Sequence, residues 1–315
     1  MKQISLGKTG ETVSALALGC MHFGTRTDKM TSVQLLDQYV DTGGTFLDTA
    51  NNYAFWAEGA SGGESETLLG EWLRDHNRED LFIASKVGAM PTVPGGGFET
   101  AEGLSAESIE AAIDGSLERL GTDYLDLYYA HIDDRTVPLD ETLGAFDALI
   151  KSGKVRHIGC SNLTAARLEK ALNISDTHGF TPYSCIQQRY SYLQPGADAD
   201  FGVQVAVDEA LLGLCHAHHV TLLAYSPLLG GAYTRADVPL PEAYRGEASE
   251  ARLAVLREIA AEAGATPNQV VLAWLRQSSP AALPVIAAST SEQLAENLGA
   301  LAVTLTPNQL RALNV

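Results

Sequence analysis

Asp48, Tyr53, Lys86 and His131 are side chains whose chemistry, taken together, suits proton delivery to a carbonyl oxygen. A phenol titrates near ~10, too high for ready proton exchange at neutral pH, but an adjacent ammonium favours the phenolate. Lys86 supplies such a charge, so the expectation is a Tyr53 pKa drawn downward. A carboxylate such as Asp48 would keep the ammonium protonated and fixed, and a histidine beside them would orient a carbonyl by hydrogen bonding. Each residue alone has a plainer explanation, because acids at strand ends often cap the next helix and lysines often just reach solvent. The set as a whole implies an acid and base for a redox reaction whose electrons come from elsewhere.

The surrounding pattern says where such residues could meet. Short apolar runs recur at 15–18, 46–48, 81–86, 124–131, 155–160, 183–187, 220–225 and 283–286. They are apolar at consecutive positions, as in parallel strands covered on both faces. Helical spacing separates them: Ile109, Ile113, Leu117 and Leu120 behind a Ser105 cap, Leu139, Leu143, Phe146 and Ile150, then Leu168 to Leu172, and Leu253, Leu256, Ile259 and Ala263. Thr266-Pro267 marks another helix start, and a final helix begins near Thr306. Eight alternations without a composition break predict an α/β fold, one (β/α)₈ TIM barrel over residues 1–315, preceded by a small hairpin around the Lys-Thr-Gly turn at residues 8–10. In such a barrel the chemistry gathers where polar residues end apolar runs. Asp48, Lys86, His131, Ser161, Asn162 and Gln187 all do so. Two irregular stretches, 88–103 and 229–249, are long enough to be functional loops.

Composition narrows the partners. A formal net charge of −18 opposes nucleic acid and anionic membrane surfaces, no apolar run has the length of a membrane span, and the first residues lack a secretory signal pattern. A cytoplasmic protein acting on a small molecule is expected. Cys20, Cys160, Cys185 and Cys215 lack metal-ligand spacing and read as reduced, buried thiols.

The ordered motifs "LALGCMHFGT", "FLDTANNY", "GESETLLGEWL", "IASKV", "SLERLGTDYLDLYYAH", "GKVRHIGCSNL", "IQQRYSYL", "AYSPLLGG" and "EQLAENLGAL" resemble those of the aldo-keto reductases across nearly the whole chain. The likeness is nearest to the bacterial branch that includes the β subunits of potassium channels. It implies a nicotinamide cofactor bound extended across the barrel rim and reversible carbonyl reduction, sugars included. Asp48, Tyr53, Lys86 and His131 match the catalytic tetrad, with Tyr53 as general acid and base. Ser161, Asn162 and Gln187 match the residues that hold the carboxamide, and Tyr190 the ring that stacks on the nicotinamide. Ser226, Leu228 and Gly230 match the pyrophosphate loop, Glu296 and Asn297 the adenine grip, and Ser289 and Gln293 further cofactor positions after the last strand. One departure leaves NADP(H) and NAD(H) both open: no basic residue lies between Arg276 and Arg311 to pair a 2′-phosphate, although Arg235 in the 229–249 loop stands as a substitute.

Other signals are set beside these. Residues 59–63 fit G-x-S-x-G but lie in a glycine-rich loop rather than at a strand-to-helix turn. His216, His218 and His219 cluster near a helix end without the carboxylates or thiols of a metal set. Trp72 and Trp274 read as packing residues, whereas Trp56, just after Tyr53, reads as a wall of the substrate site. Two further functions share these residues: a cofactor-binding regulatory subunit without turnover, and a lyase using Lys86 as a Schiff-base nucleophile.

Overall fold

The computed structural model describes residues 1–314. Eight parallel strands close into a barrel: β3 (Ala17–Gly19), β4 (Phe46–Asp48), β5 (Phe82–Val87), β6 (Leu125–Ala130), β7 (Val155–Ser161), β8 (Cys185–Arg189), β9 (Thr221–Tyr225) and β10 (Ala282–Ile286). Neighbours follow chain order, and β10 pairs with both β9 and β3 to complete the circle. The expected hairpin is β1 (Gln3–Ser5) against β2 (Thr12–Ser14), antiparallel.

Side chains on these strands alternate between two apolar layers, which explains the unbroken apolar runs. Phe46, Phe82, Leu127, Tyr129 and Leu223 fill the barrel, whereas Leu47, Ile83, Tyr128 and Leu222 pack outward on the helices. Leu6 and Val13 of the hairpin join the interior layer and so close the barrel's N-terminal end. Burying both faces of each strand supplies most of the driving force for closure.

The outer helices start where capping residues stand. Ser105 caps α3 (Ala106–Leu120), and Thr266 and Thr306 build capping boxes at α8 (Pro267–Gln277) and α10 (Pro307–Leu313). The remaining helices are α1 (Lys29–Asp41), α2 (Glu64–Leu73), α4 (Leu139–Lys151), α5 (Ala165–His178), α6 (Glu209–His218), α7 (Glu247–Ala263) and α9 (Ser291–Gly299). The two long stretches differ in detail from a plain loop. Residues 88–103 contain a short helical turn, Phe98–Thr100, and the end of 229–249 is the first turn of α7.

Candidate active site

Asp48 ends β4 and Lys86 lies one residue before the end of β5, on the strand beside it. Both side chains point into the barrel and are fully buried. The Lys86 ammonium has an acceptor for each of its protons: Asp48 Oδ1 at 2.5 Å, the Thr49 carbonyl at 2.7 Å and the Tyr53 hydroxyl at 2.6 Å. Tyr53 reaches this point because the chain after β4 doubles back in tight turns, with Tyr53 N–H bonded to the Ala50 carbonyl. Its hydroxyl donates to Asp48 Oδ1 at 3.3 Å, and Gln187 Nε2 donates to Asp48 Oδ2 at 2.8 Å. The carboxylate therefore collects three donors, which is how a charge tolerates burial.

Burial dominates the protonation of this cluster. It drives the Lys86 pKa below the ordinary lysine value even though Asp48 acts in the opposite sense. It drives the Tyr53 phenol well above its ordinary value, and the Asp48 carboxylate adds to that rise. The expected lowering of Tyr53 is thus reversed, because desolvation of the phenolate outweighs the ammonium beside it. The resting phenol keeps its proton, the state required of a donor. His131 is held neutral, first by burial and then by the Lys86 charge.

His131 follows β6 and its ring meets that of Tyr53 edge-on, with centroids 5.7 Å apart and an interplanar angle of 72°. Its buried Nδ1 has no hydrogen-bond partner among the described residues. Asn162 sits in the left-handed region at φ +60° and ties three strand ends together. Its Nδ2 donates to the His131 carbonyl at 2.9 Å and to Ser161 Oγ at 3.0 Å, while its Oδ1 accepts from the Tyr225 hydroxyl at 2.8 Å. Ser161 Oγ in turn donates to the Gln187 carbonyl at 2.6 Å. Ser161, Asn162 and Gln187 are therefore beside the Asp48 cluster.

The other positions form a second strip along the rim. Tyr190 is half-buried, with its ring 5.7 Å from that of Trp274. Ser226, Leu229, Gly230 and Gly231 all have positive φ, so the loop after β9 turns sharply, and a side chain at Gly230 would meet only open space. Leu228 lies between them, partly buried. Past β10, Ser289 Oγ and N–H both donate to Gln293 Oε1, and Asn297 Nδ2 donates to the Ala287 carbonyl at 3.0 Å. Glu296 Oε2 accepts from Asn268 Nδ2 at 3.3 Å, and Asn268 also reaches Thr234 Oγ1 at 2.9 Å. The Asn268 Oδ1 is buried without a partner among the described residues. Arg235 pairs with Asp237 at 2.5 Å, and both are exposed.

Trp56 is 42% exposed, with its ring 5.0 Å edge-on from Phe55, which meets Phe98 at 5.6 Å in the same manner. An aromatic wall thus joins the Tyr53 loop to the 88–103 stretch. Glu102 secures that stretch by accepting from Asn51 Nδ2 and Gly88 N–H, both at 2.8 Å, and Asn52 Nδ2 donates to the Ala89 carbonyl. Trp56 also lines a cleft of about 450 Å³ with Arg26, Glu58 and Glu64. Residues 59–63 precede α2, where Glu64 accepts from the N–H groups of Ser61 and Gly62, so the serine motif is a helix entrance.

Phe98, Asn51, Asn52, Glu102, Tyr225 and Asn268 are the supporting residues that motif reading misses. Asn51 and Asn52 stand inside "FLDTANNY" and Phe98 inside a stretch already marked by length, so those three had a signal. Glu102 shares the signal of Phe98, since it lies in the same stretch, whereas Asn268 had none, since its partners Thr234 and Glu296 lie far away in the chain.

The family model for the aldo/keto reductase family matches residues 15–314. The chain is 33% identical over 323 residues to the uncharacterized oxidoreductase YrpG of Bacillus subtilis, covering 100% of this chain and 95% of that protein. It is 32% identical to norsolorinic acid reductase stcV of Emericella nidulans over 96% of this chain and 77% of the relative. Among solved structures, the thermostable aldo-keto reductase Tm1743, crystallised with the inhibitor epalrestat, superposes with a TM-score of 0.75 at 31% identity, covering 100% of this chain and 99% of that one. A closed parallel barrel with buried Asp48 and Lys86 at its strand ends, matched over its length by these relatives, belongs to the aldo/keto reductase family of carbonyl-reducing oxidoreductases.

Proposed function

We propose that this protein reversibly reduces aldehydes or ketones, polar ones and sugars included, to alcohols with NAD(H) or NADP(H), and that Tyr53 exchanges the proton. The observation that carries the reading is the Lys86 ammonium, bonded at once to Asp48 and to the hydroxyl of Tyr53, a residue that keeps 8% of its surface open. The dinucleotide would supply the hydride. Negative charge would then develop on the carbonyl oxygen, which would become a strong base. Tyr53 Oη then passes its proton to that oxygen, and the ammonium at 2.6 Å stabilises the phenolate left behind. Lys86 thus acts when charge develops rather than at rest, which fits a raised resting pKa for Tyr53. His131, neutral and edge-on to the same ring, orients the carbonyl oxygen through an imidazole N–H.

The rim fits an extended dinucleotide. Ser161, Asn162, Gln187 and Tyr190 would take the nicotinamide half, the positive-φ turn with Ser226, Leu228 and Gly230 the pyrophosphate, and Ser289, Gln293, Glu296 and Asn297 the adenosine half. The buried, unpartnered Oδ1 of Asn268 beside Glu296 adds a free acceptor on that side. Arg235 is neutralised by Asp237, so the 2′-phosphate of NADP(H) would find no free formal charge among these residues, and NADH is expected to serve at least as well as NADPH. The Phe55, Trp56 and Phe98 wall supports aromatic carbonyls among the substrates, in keeping with the name of the norsolorinic acid reductase relative.

Lys86 does not suit Schiff-base chemistry, because its protons are engaged by three acceptors and its side chain has no exposed surface for attack on a carbonyl. A regulatory subunit would keep the rim and lose turnover. The deciding experiment is carbonyl-dependent oxidation of NADH and NADPH over a panel of sugars, short aldehydes and aromatic ketones. Steady turnover with NADH is expected. Tight dinucleotide binding with no turnover on any substrate, or a borohydride-trapped adduct on Lys86, would overturn the reading.

A further inference from the structure

The barrel has a second cavity at its opposite, N-terminal face. It is about 320 Å³ and lies between the hairpin, the end of α6 and the starts of β9 and β10. Its polar lining is Lys2, Ser5, His216, His219, Thr221 and Arg276, and no acidic residue contributes. That asymmetry is notable in a chain with 39 acidic and only 21 Lys and Arg residues. The cleft beside Trp56, by contrast, sets Arg26 against two glutamates.

Arg276 distinguishes this cavity from a chance cluster. Arg276 is partly buried and, among the described residues, has no carboxylate within ion-pair distance; the partly buried Arg78, Arg119 and Arg167 each have one, and Arg189 is held instead by Gln204 Oε1. One guanidinium N–H goes to the Ala300 carbonyl at 3.0 Å, while the buried Nε has no acceptor among the described residues. Burial lowers its pKa below the ordinary arginine value, the mark of a cation whose lost hydration has no anionic replacement. Thr221 Oγ1 accepts from Gly7 N–H at 2.7 Å and donates to the Ser5 carbonyl at 3.4 Å, which pins the hairpin to the barrel. His219 follows α6 as its C-cap, in the left-handed region at φ +57°, and lines the same cavity as His216.

We propose that this cavity is a second ligand site, which takes a phosphate-type oxyanion, either inorganic phosphate or the headgroup of a phosphomonoester. A tetrahedral oxyanion offers several acceptor oxygens to a guanidinium fork, an ammonium, two imidazoles and the Ser5 hydroxyl, more than a monocarboxylate offers. The volume sits at the lower end of the roughly 300–1,000 Å³ usual for small-molecule sites, which leaves room for an organic remainder beyond the phosphate. The site is independent of the reading of the catalytic rim.

The test is calorimetric titration of the full chain with inorganic phosphate, glycerol 3-phosphate, acetate and chloride at constant ionic strength. Saturable binding of both phosphates is expected, with acetate and chloride weaker. Tighter binding of the ester than of free phosphate assigns the site to phosphomonoesters, and equal or weaker binding assigns it to free phosphate. Arg276→Gln should weaken the phosphates by about tenfold or more, the equivalent of losing one charge-assisted contact. Lys2→Gln, at an exposed position with little risk to folding, should weaken them by a smaller factor. Absence of saturable binding, acetate or chloride binding as tightly as the phosphates, or phosphate binding that both substitutions leave intact, as it would be if the anion sat in the dinucleotide rim, would overturn the proposal.

Discussion

Two buried carboxylates lie on opposite sides of strand β5, and they serve different ends. Lys86 points inward to Asp48, and its neighbour Ser85 points outward to Glu66, which also accepts from Arg119 Nε at 2.7 Å. Both acids are fully buried, each has one basic partner, and each receives a hydroxyl. The outer cluster lies between the barrel and helices α2 and α3, with the Glu66 carboxylate buried and Arg119 partly exposed. The inner one ends in Tyr53, whose hydroxyl is shared by Lys86 and Asp48 and whose ring meets His131. A buried ion pair by itself therefore does not mark a catalytic centre. The mark is a titratable group that the pair controls and that a ligand can still reach.

Removing the two basic partners gives the largest expected effect and the sharpest contrast. Lys86→Met should lower kcat by at least ~10²-fold, since the phenolate would lose its countercharge. Arg119→Met should leave kcat of the folded enzyme near normal and instead cost stability, by up to about 3 kcal/mol, because a buried carboxylate loses its partner while the arginine was partly exposed. Chemical denaturation and steady-state kinetics on both variants check this. A catalytic collapse in Arg119→Met without unfolding would erase the distinction.

A smaller effect tests the aromatic wall on the inner side. Trp56→Ala should raise KM for aromatic ketones by about fivefold, the equivalent of roughly 1 kcal/mol of apolar contact, with kcat little changed. An unchanged KM would reduce Phe55, Trp56 and Phe98 to loop packing.

The parts visible in the amino-acid pattern were those that repeat or punctuate. Apolar runs located all eight barrel strands to within a few residues, and Ser105, Thr266 and Thr306 announced their helices. Asp48, Lys86 and His131 stood out because polar residues ended apolar runs. Burial, however, is a property of the closed barrel, so the sign of the Tyr53 shift could not be judged from its charged neighbours alone. Contacts such as Asn162 with Tyr225 and Asn51 with Glu102 join loops far apart in the chain and leave no periodic trace. The histidine cluster was visible, but Lys2 and Arg276 join it only through closure of the barrel's lower end.

The smallest predicted effect concerns pH. His131 has a folded pKa depressed well below the ordinary 6.5, so the unfolded chain binds more protons than the folded one between those values. Stability is thus full above about 6.5 and declines as the pH falls from there toward the folded value. His22 and His157 are lowered by burial in the same sense and share the slope. His131→Asn should flatten the decline between pH 7 and pH 5 without removing it. An unchanged slope would mean that His131 is not the desolvated group described here.

The central claim is that the inner cluster exists to make one phenolic proton transferable. Tyr53→Phe, assayed for carbonyl reduction alongside dinucleotide affinity by fluorescence titration, addresses it most directly. The account predicts a fall in kcat of at least ~10²-fold with dinucleotide affinity nearly intact. Turnover retained within a few fold of the parent enzyme would contradict it.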